Sequence, residues 1–285
     1  MDGRSTSEPG ANVITTRTTW MNGRHPARVP WLQWRGPYEF LWRRQDIPIT
    51  GLPAELDGLR ILHLSDFHTR HYWPAAYDAL LARIADDPPD LTLFTGDFVE
   101  SRRDQMPAVP HVKRLVAGFA TGLGCYGTLG NHDLYHFAPH LDGTNVTLLE
   151  GDRKLIQLSN AAVEIIGLPG VDRRDLKDEF LRSLPPRGAR TLRVVLSHVR
   201  EHIRRTVPLQ PHLFLCGHTH GGQVCLPGGV PIITHTKLPR RFCRGIHRFG
   251  ETWLVINHGL GFSGPPIRIL CPSEVIELTL RRTEN

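Results

Sequence analysis

From residue 57 onward the chain alternates short apolar runs with polar stretches rich in glycine and proline. LRILHLS (59–65), LTLFTG (91–96), RVVLS (193–197) and HLFLC (212–216) are too short for helices and predict buried strands. NVTLL, KLIQLS and AAVEIIGL within 145–168 predict consecutive strands, and TWLVINH (252–258) and EVIELTL (274–280) two more. WPAAYDALLARIADD (73–87) and PAVPHVKRLVAGFAT (107–121) place apolar residues at helical spacing instead. The pattern predicts a layered α/β domain with two sheets over residues 57–285, without internal repeats.

The N-terminal part is patterned differently. Residues 1–30 are polar and aperiodic, so disorder is expected there. Residues 31–56 form a Trp- and Arg-rich lead-in. Trp31, Trp34, Tyr38, Phe40 and Trp42 among Arg35, Arg43 and Arg44 are the mixture of a membrane-interface anchor over residues 31–44, while a first strand over 38–49 explains the same stretch. No window reaches the length of a membrane span and no signal peptide precedes the domain. The expected location is cytoplasmic, with peripheral contact at the inner membrane as the secondary reading.

The apolar runs end alike. Ser65-Asp66-Phe67-His68, Gly96-Asp97, Gly130-Asn131-His132-Asp133, Ser197-His198 and Gly217-His218-Thr219-His220 each stand where a strand leaves the core, the place where α/β proteins bind ligands. Alternate residues of an extended segment share a side, so Asp66 with His68, and His218 with His220, are expected to converge. Carboxylate, imidazole and amide oxygen together suit Mn, Fe, Zn or Ni, and the imidazole count disfavours Ca and Mg. The net charge of +6 favours anionic partners such as phosphate esters. The five cysteines contain no CxxC pair, which disfavours a disulfide framework.

In this order the motifs resemble those of the calcineurin-like metallophosphoesterase superfamily: DxH, GD, GNH followed by an acid, a lone His, then GHxH. The resemblance implies a four-layer α/β/β/α sandwich of two mixed β-sheets flanked by helices. It also implies two divalent metal ions, one held by Asp66, His68 and His220 and the other by Asn131, His198 and His218, with Asp97 bridging. A bridging hydroxide is the implied nucleophile, and His132 the implied proton donor, oriented by Glu100 or Asp133. Where the family's protein phosphatases read GDxVDRG, this chain reads GDFVESRR, with Ser101 in place of the arginine and Arg102 and Arg103 out of register. GHTHGGQ and the C-terminal INHGLGFSGPPIRIL look instead like the bacterial branch of membrane-associated phosphodiesterases and UDP-2,3-diacylglucosamine hydrolases. The resulting expectation is a phosphohydrolase acting on a phosphodiester or pyrophosphate in a small or lipid-linked molecule, with Arg240, Arg241, Arg244 and Arg268 as candidate substrate-binding residues. A nuclease and a non-catalytic scaffold of the same fold are the alternatives, although no specific nucleic acid is expected because no basic stripe between aromatics accompanies the motifs.

Overall fold

The computed structural model describes residues 16–21 (backbone only), 31–34, 37, 39–171, 174–234 and 239–284. Two mixed sheets stack face to face. The seven-stranded sheet runs Thr16–Met21, Phe40–Thr50, Glu274–Thr283, Arg60–Leu64, Leu91–Thr95, Cys125–Thr128, Val146–Leu148. The six-stranded sheet runs Gly245–Phe249, Thr252–Ile256, Leu213–Cys216, Thr191–Leu196, Ala161–Gly167, Asp152–Leu158.

Side-chain alternation along the strands builds four layers. Ile61, Leu91 and Leu93 of the first sheet meet Ile165, Val194 and Leu215 of the second in the inner core. Their neighbours Leu62, Leu64 and Phe94 turn outward onto Tyr77, Leu80 and Ile84 of the helix Ala75–Asp86 and onto Val112 and Val116 of the helix Val109–Ala117. On the far side, Val195, Phe214 and Ile256 pack against Ile203, Leu209 and Phe180 from the short helices and turns of 178–209. This is the α/β/β/α arrangement expected from the motif order.

Parallel pairing positions the site. Arg60–Leu64, Leu91–Thr95 and Cys125–Thr128 run parallel, as do Thr191–Leu196 and Leu213–Cys216, so the loops that follow them emerge at one edge of each sheet. Among the strands not announced by apolar runs, Cys125–Thr128 contains a glycine and Gly245–Phe249 is a partly exposed edge strand.

The N-terminal expectations change in detail. The disorder expected over 1–30 falls outside the described residues except at Thr16–Met21, which pairs antiparallel with Phe40–Thr50. Its threonine-rich sequence suits the unpaired backbone groups of that edge. The segment 31–44 divides. Phe40, Leu41 and Trp42 are buried in a strand, where Trp42 Nε1 donates to Glu277 Oε2 at 2.7 Å, whereas Trp31, Leu32 and Trp34 are exposed. Any membrane contact therefore excludes the aromatic residues of 40–42, whose apolar area the core already covers.

Candidate metal centre

The two sheets meet where their motif-bearing loops emerge, and glycine permits the approach. A Cβ at Gly217 would lie 2.0 Å from Ser65 Oγ and 2.1 Å from Asp66 Oδ2, and one at Gly130 would lie 2.2 Å from Asp97 Oδ1. The backbone then turns left-handed at Asp66, His68, Asp97, His218 and His220, with φ between 43° and 69°. Such φ values are uncommon for residues other than glycine and cluster at functional sites. These residues are therefore brought together by turns and not by strand alternation. His218 and His220 diverge instead of converging on one point.

Around Asp66, His68 Nε2 lies 3.0 Å from His220 Nε2 and 3.4 Å from Asp97 Oδ2, and His220 Nε2 lies 3.4 Å from Asp66 Oδ1. All four donor atoms fall within 4.8 Å of one another and all four residues are buried. Around His198, Nε2 lies 3.0 Å from Asn131 Oδ1, 3.1 Å from His218 Nδ1 and 3.3 Å from Asp97 Oδ2. Asp97 Oδ2 thus belongs to both groups.

Two of the rings have their far nitrogens occupied by oxygen acceptors. His198 Nδ1–H donates to the Thr95 carbonyl at 2.8 Å, and His68 Nδ1 stands 2.5 Å from Glu100 Oε2 as an ion pair. In the neutral rings this leaves each Nε2 as a lone pair aimed at other lone pairs, an arrangement that a cation completes and that matches the way metal-ligating histidines are held. Without a cation the same demand draws protons. Burial lowers the pKa of His68 but Asp66, Glu100 and Asp97 outweigh it, raising His68 to about 10. For His198 burial is likewise outweighed by Asp97 and Asp66, giving about 9. Burial would raise Asp97, yet His198 and His68 hold it well below the usual carboxylate range. The residues present therefore fit two divalent cations.

His132 stands at the edge of these groups. Its Nδ1–H donates to the Glu100 carbonyl at 2.6 Å and its backbone N–H to Asp97 Oδ1 at 2.8 Å. Burial lowers its pKa. Glu100 therefore orients His132, mainly through its backbone oxygen. Asp133 does not, because its carboxylate accepts the backbone N–H groups of Gly130 (2.8 Å) and Val99 (3.1 Å) and ties the two loops together.

A cleft of about 460 Å³ opens beside the cluster, lined by the polar groups of Asp97, Asn131, His132, His218 and His220 and by the apolar side chains of Val224, Ile233, Pro265 and Ile267. Arg102 also lines it, and with Arg174 lines an adjoining groove beside Asn131 and His218. Sequence register dismissed Arg102, but the loop after Asp97 brings it back. Arg240, Arg241 and Arg244 do not line the cleft. Arg268 is buried behind His220, where its guanidinium donates to the carbonyls of His258 (2.7 Å), Gly261 (2.7 Å) and His220 (3.2 Å). It braces the GHTH loop from behind and has no open path to substrate.

Comparison with known proteins agrees with this geometry. The calcineurin-like phosphoesterase family model matches residues 59–222. Metallophosphoesterase YkuE of Bacillus subtilis (strain 168) is 27% identical over 249 residues, covering 81% of this chain and 82% of that protein. Phosphodiesterase YaeI of Escherichia coli (strain K12) is 29% identical over 233 residues, covering 78% and 82%. A transmembrane protein with metallophosphoesterase domain from Danio rerio is 26% identical over 260 residues, which cover 83% of this chain but 56% of that protein. With a match across more than half of its length that takes in every motif from Asp66 to His220, the chain belongs to the calcineurin-like phosphoesterase family of metal-dependent phosphoester hydrolases.

Proposed function

We propose that the protein is a dinuclear hydrolase that cleaves a phosphodiester or pyrophosphate bond. The observation that carries the reading is the single oxygen, Asp97 Oδ2, placed 3.4 Å from His68 Nε2 and 3.3 Å from His198 Nε2. One ion would be held by Asp66, His68 and His220, the other by Asn131, His198 and His218, with Asp97 shared. Bound there, divalent cations would acidify a water and polarise phosphoryl oxygens.

The chain's own residues supply the rest. His132, with Nδ1–H committed to Glu100, presents Nε2 to protonate the leaving oxygen. Arg102 on the cleft wall is placed to neutralise a phosphoryl or second phosphate charge. Val224, Ile233, Pro265 and Ile267 offer an apolar wall to a lipid or other hydrophobic substituent. That combination favours an amphiphilic substrate, and UDP-2,3-diacylglucosamine is the first natural compound to test.

Elemental analysis of the purified protein is expected to give two divalent ions per chain. Mn²⁺-dependent cleavage of bis-p-nitrophenyl phosphate is expected to exceed that of p-nitrophenyl phosphate and to fall about a hundredfold in His132→Ala. Neither metal uptake nor hydrolysis after Mn²⁺ addition would replace the enzyme with a scaffold of the same fold.

A further inference from the structure

The apolar wall of the cleft continues outward onto a surface that no other part of the described chain covers. Trp31, Trp34, Leu226, Ile232 and Ile233 are between 48% and 63% exposed. They are far apart in sequence, yet one backbone ladder joins them. Leu32–Trp34 pairs antiparallel with Ile267–Ile269, Ile269 bridges to Val224, and the adjacent Cys225–Leu226 pairs with Val230–Pro231. The Ile232 N–H then donates back to the Val224 carbonyl at 3.1 Å. Trp31 and Trp34 therefore lie at one end of a rim, and Leu226, Val230 and Ile232 at the other. Val224, Ile233 and Ile267 lead from the rim into the cleft. Grouped apolar exposure of this kind marks an interaction surface.

Charge selects the occupant. The Arg244 guanidinium lies against the Gly228–Gly229 turn and donates to the Gly228 carbonyl at 3.3 Å. Arg240 and Arg241 are exposed in the Arg240–Cys243 turn, which packs on Val230–Pro231. Among the described residues, none of these three arginines is paired with a carboxylate. Exposed tryptophans and aliphatics edged by uncompensated arginines match the headgroup boundary of an anionic bilayer, where the apolar groups reach acyl chains and the guanidinium groups meet phosphates.

We propose that this rim seats the protein on an anionic lipid bilayer, with the cleft opening at headgroup depth. The inference rests on the hydrolase reading only for the use it gives the cleft, since the seating itself requires no catalysis.

Flotation of the full chain with phosphatidylglycerol-containing vesicles and with pure phosphatidylcholine vesicles tests it, in the presence of chelator so that turnover plays no part. Binding is expected to the anionic vesicles, to weaken with added salt, and to fall about tenfold in the Trp31→Ser/Trp34→Ser double variant and, independently, in Leu226→Ser/Ile232→Ser. None of these residues lines the cleft, so hydrolysis of a soluble diester is expected to stay at the wild-type rate. Quenching of tryptophan fluorescence by bromine-labelled acyl chains is expected in the wild type and to be lost with Trp31 and Trp34. Absence of flotation overturns the proposal, and so does flotation indifferent to both double variants. Concentration-dependent dimers abolished by the same variants, without vesicle binding, would assign the rim to a second copy of the chain. If diester hydrolysis fails while flotation and its variant dependence hold, the substrate reading alone is lost.

Discussion

The strand Arg60–Leu64 carries a polar cluster at each end, and the two follow opposite rules. At its start, Arg60 donates to Glu277 Oε1 and to Asp87 Oδ1, each at 2.7 Å, while Arg44 and Trp42 donate to Glu277 Oε2 at 3.0 and 2.7 Å. Donor meets acceptor throughout, and none of Arg44, Arg60, Asp87 or Glu277 has a left-handed backbone. Just beyond its other end, Asp66 and His68 sit in left-handed turns with ring nitrogens facing carboxylate oxygens and one another. Each cluster is built on a buried carboxylate, Glu277 in the one and Asp66 in the other. What separates a structural network from a ligand site is whether the groups satisfy each other.

Histidines make the same distinction. His212 immediately precedes the strand Leu213–Cys216, which GHTH follows. There burial and the neighbouring Arg187 and Arg193 lower it to about 4, so that it serves as a neutral acceptor for the Arg193 N–H at 3.1 Å. At the far end His68 and His198 are displaced upward by carboxylates.

The largest expected effect breaks the site end alone. Asp97→Asn removes the charge on the shared oxygen, and metal-dependent diester cleavage is expected to fall about a thousandfold with loss of bound metal. The chelator-treated variant should also unfold more easily than the wild type, because without metal the Asp97 carboxylate is the counter-charge of His68 and His198. Activity retained within about tenfold would deny the two groups a common ligand.

Glu277→Gln attacks the opposite end. It leaves Arg44 and Arg60, both still paired with Asp87, short of a buried counter-charge, and urea denaturation is expected to show a loss of about 2 kcal/mol with metal content unchanged. An unaltered midpoint would mean that this network stabilises nothing.

The smallest effect concerns His212. Its folded pKa is about 4 against 6.5 for a free histidine, so between those values the unfolded chain binds more protons. Stability is full above 6.5 and is expected to fall as pH drops through that window, by at most about 1.4 kcal/mol per pH unit. His212→Gln should flatten this limb of the denaturation profile, and an unchanged slope would show that His212 does not titrate as described.

Much of the site could be read from sequence because its residues follow apolar strands directly, and strand ends gather in space wherever strands run parallel. Asp66, Asp97, His198 and His220 are of this kind. Residues whose partners are backbone atoms were less legible. Asp133 serves amide groups, Arg268 serves carbonyls, and Glu100 fixes His132 through its own carbonyl, none of which leaves a mark in residue type. Arg102 was set aside as out of register because motif spacing gives no account of where a loop folds back. Thr16–Met21 lacked apolar alternation because an edge strand needs only unpaired backbone to join.

The strand Glu274–Thr283 lies inside the seven-stranded sheet, between Phe40–Thr50 and Arg60–Leu64. During synthesis, the two early strands must wait beside an open slot while more than two hundred intervening residues leave the ribosome. Contacts so distant in sequence form slowly, and an unfilled slot leaves one backbone edge of each neighbour unpaired. The metal-bearing loops can gather only around a sheet that this last insertion completes, so acquisition of metal should follow translation instead of accompanying it.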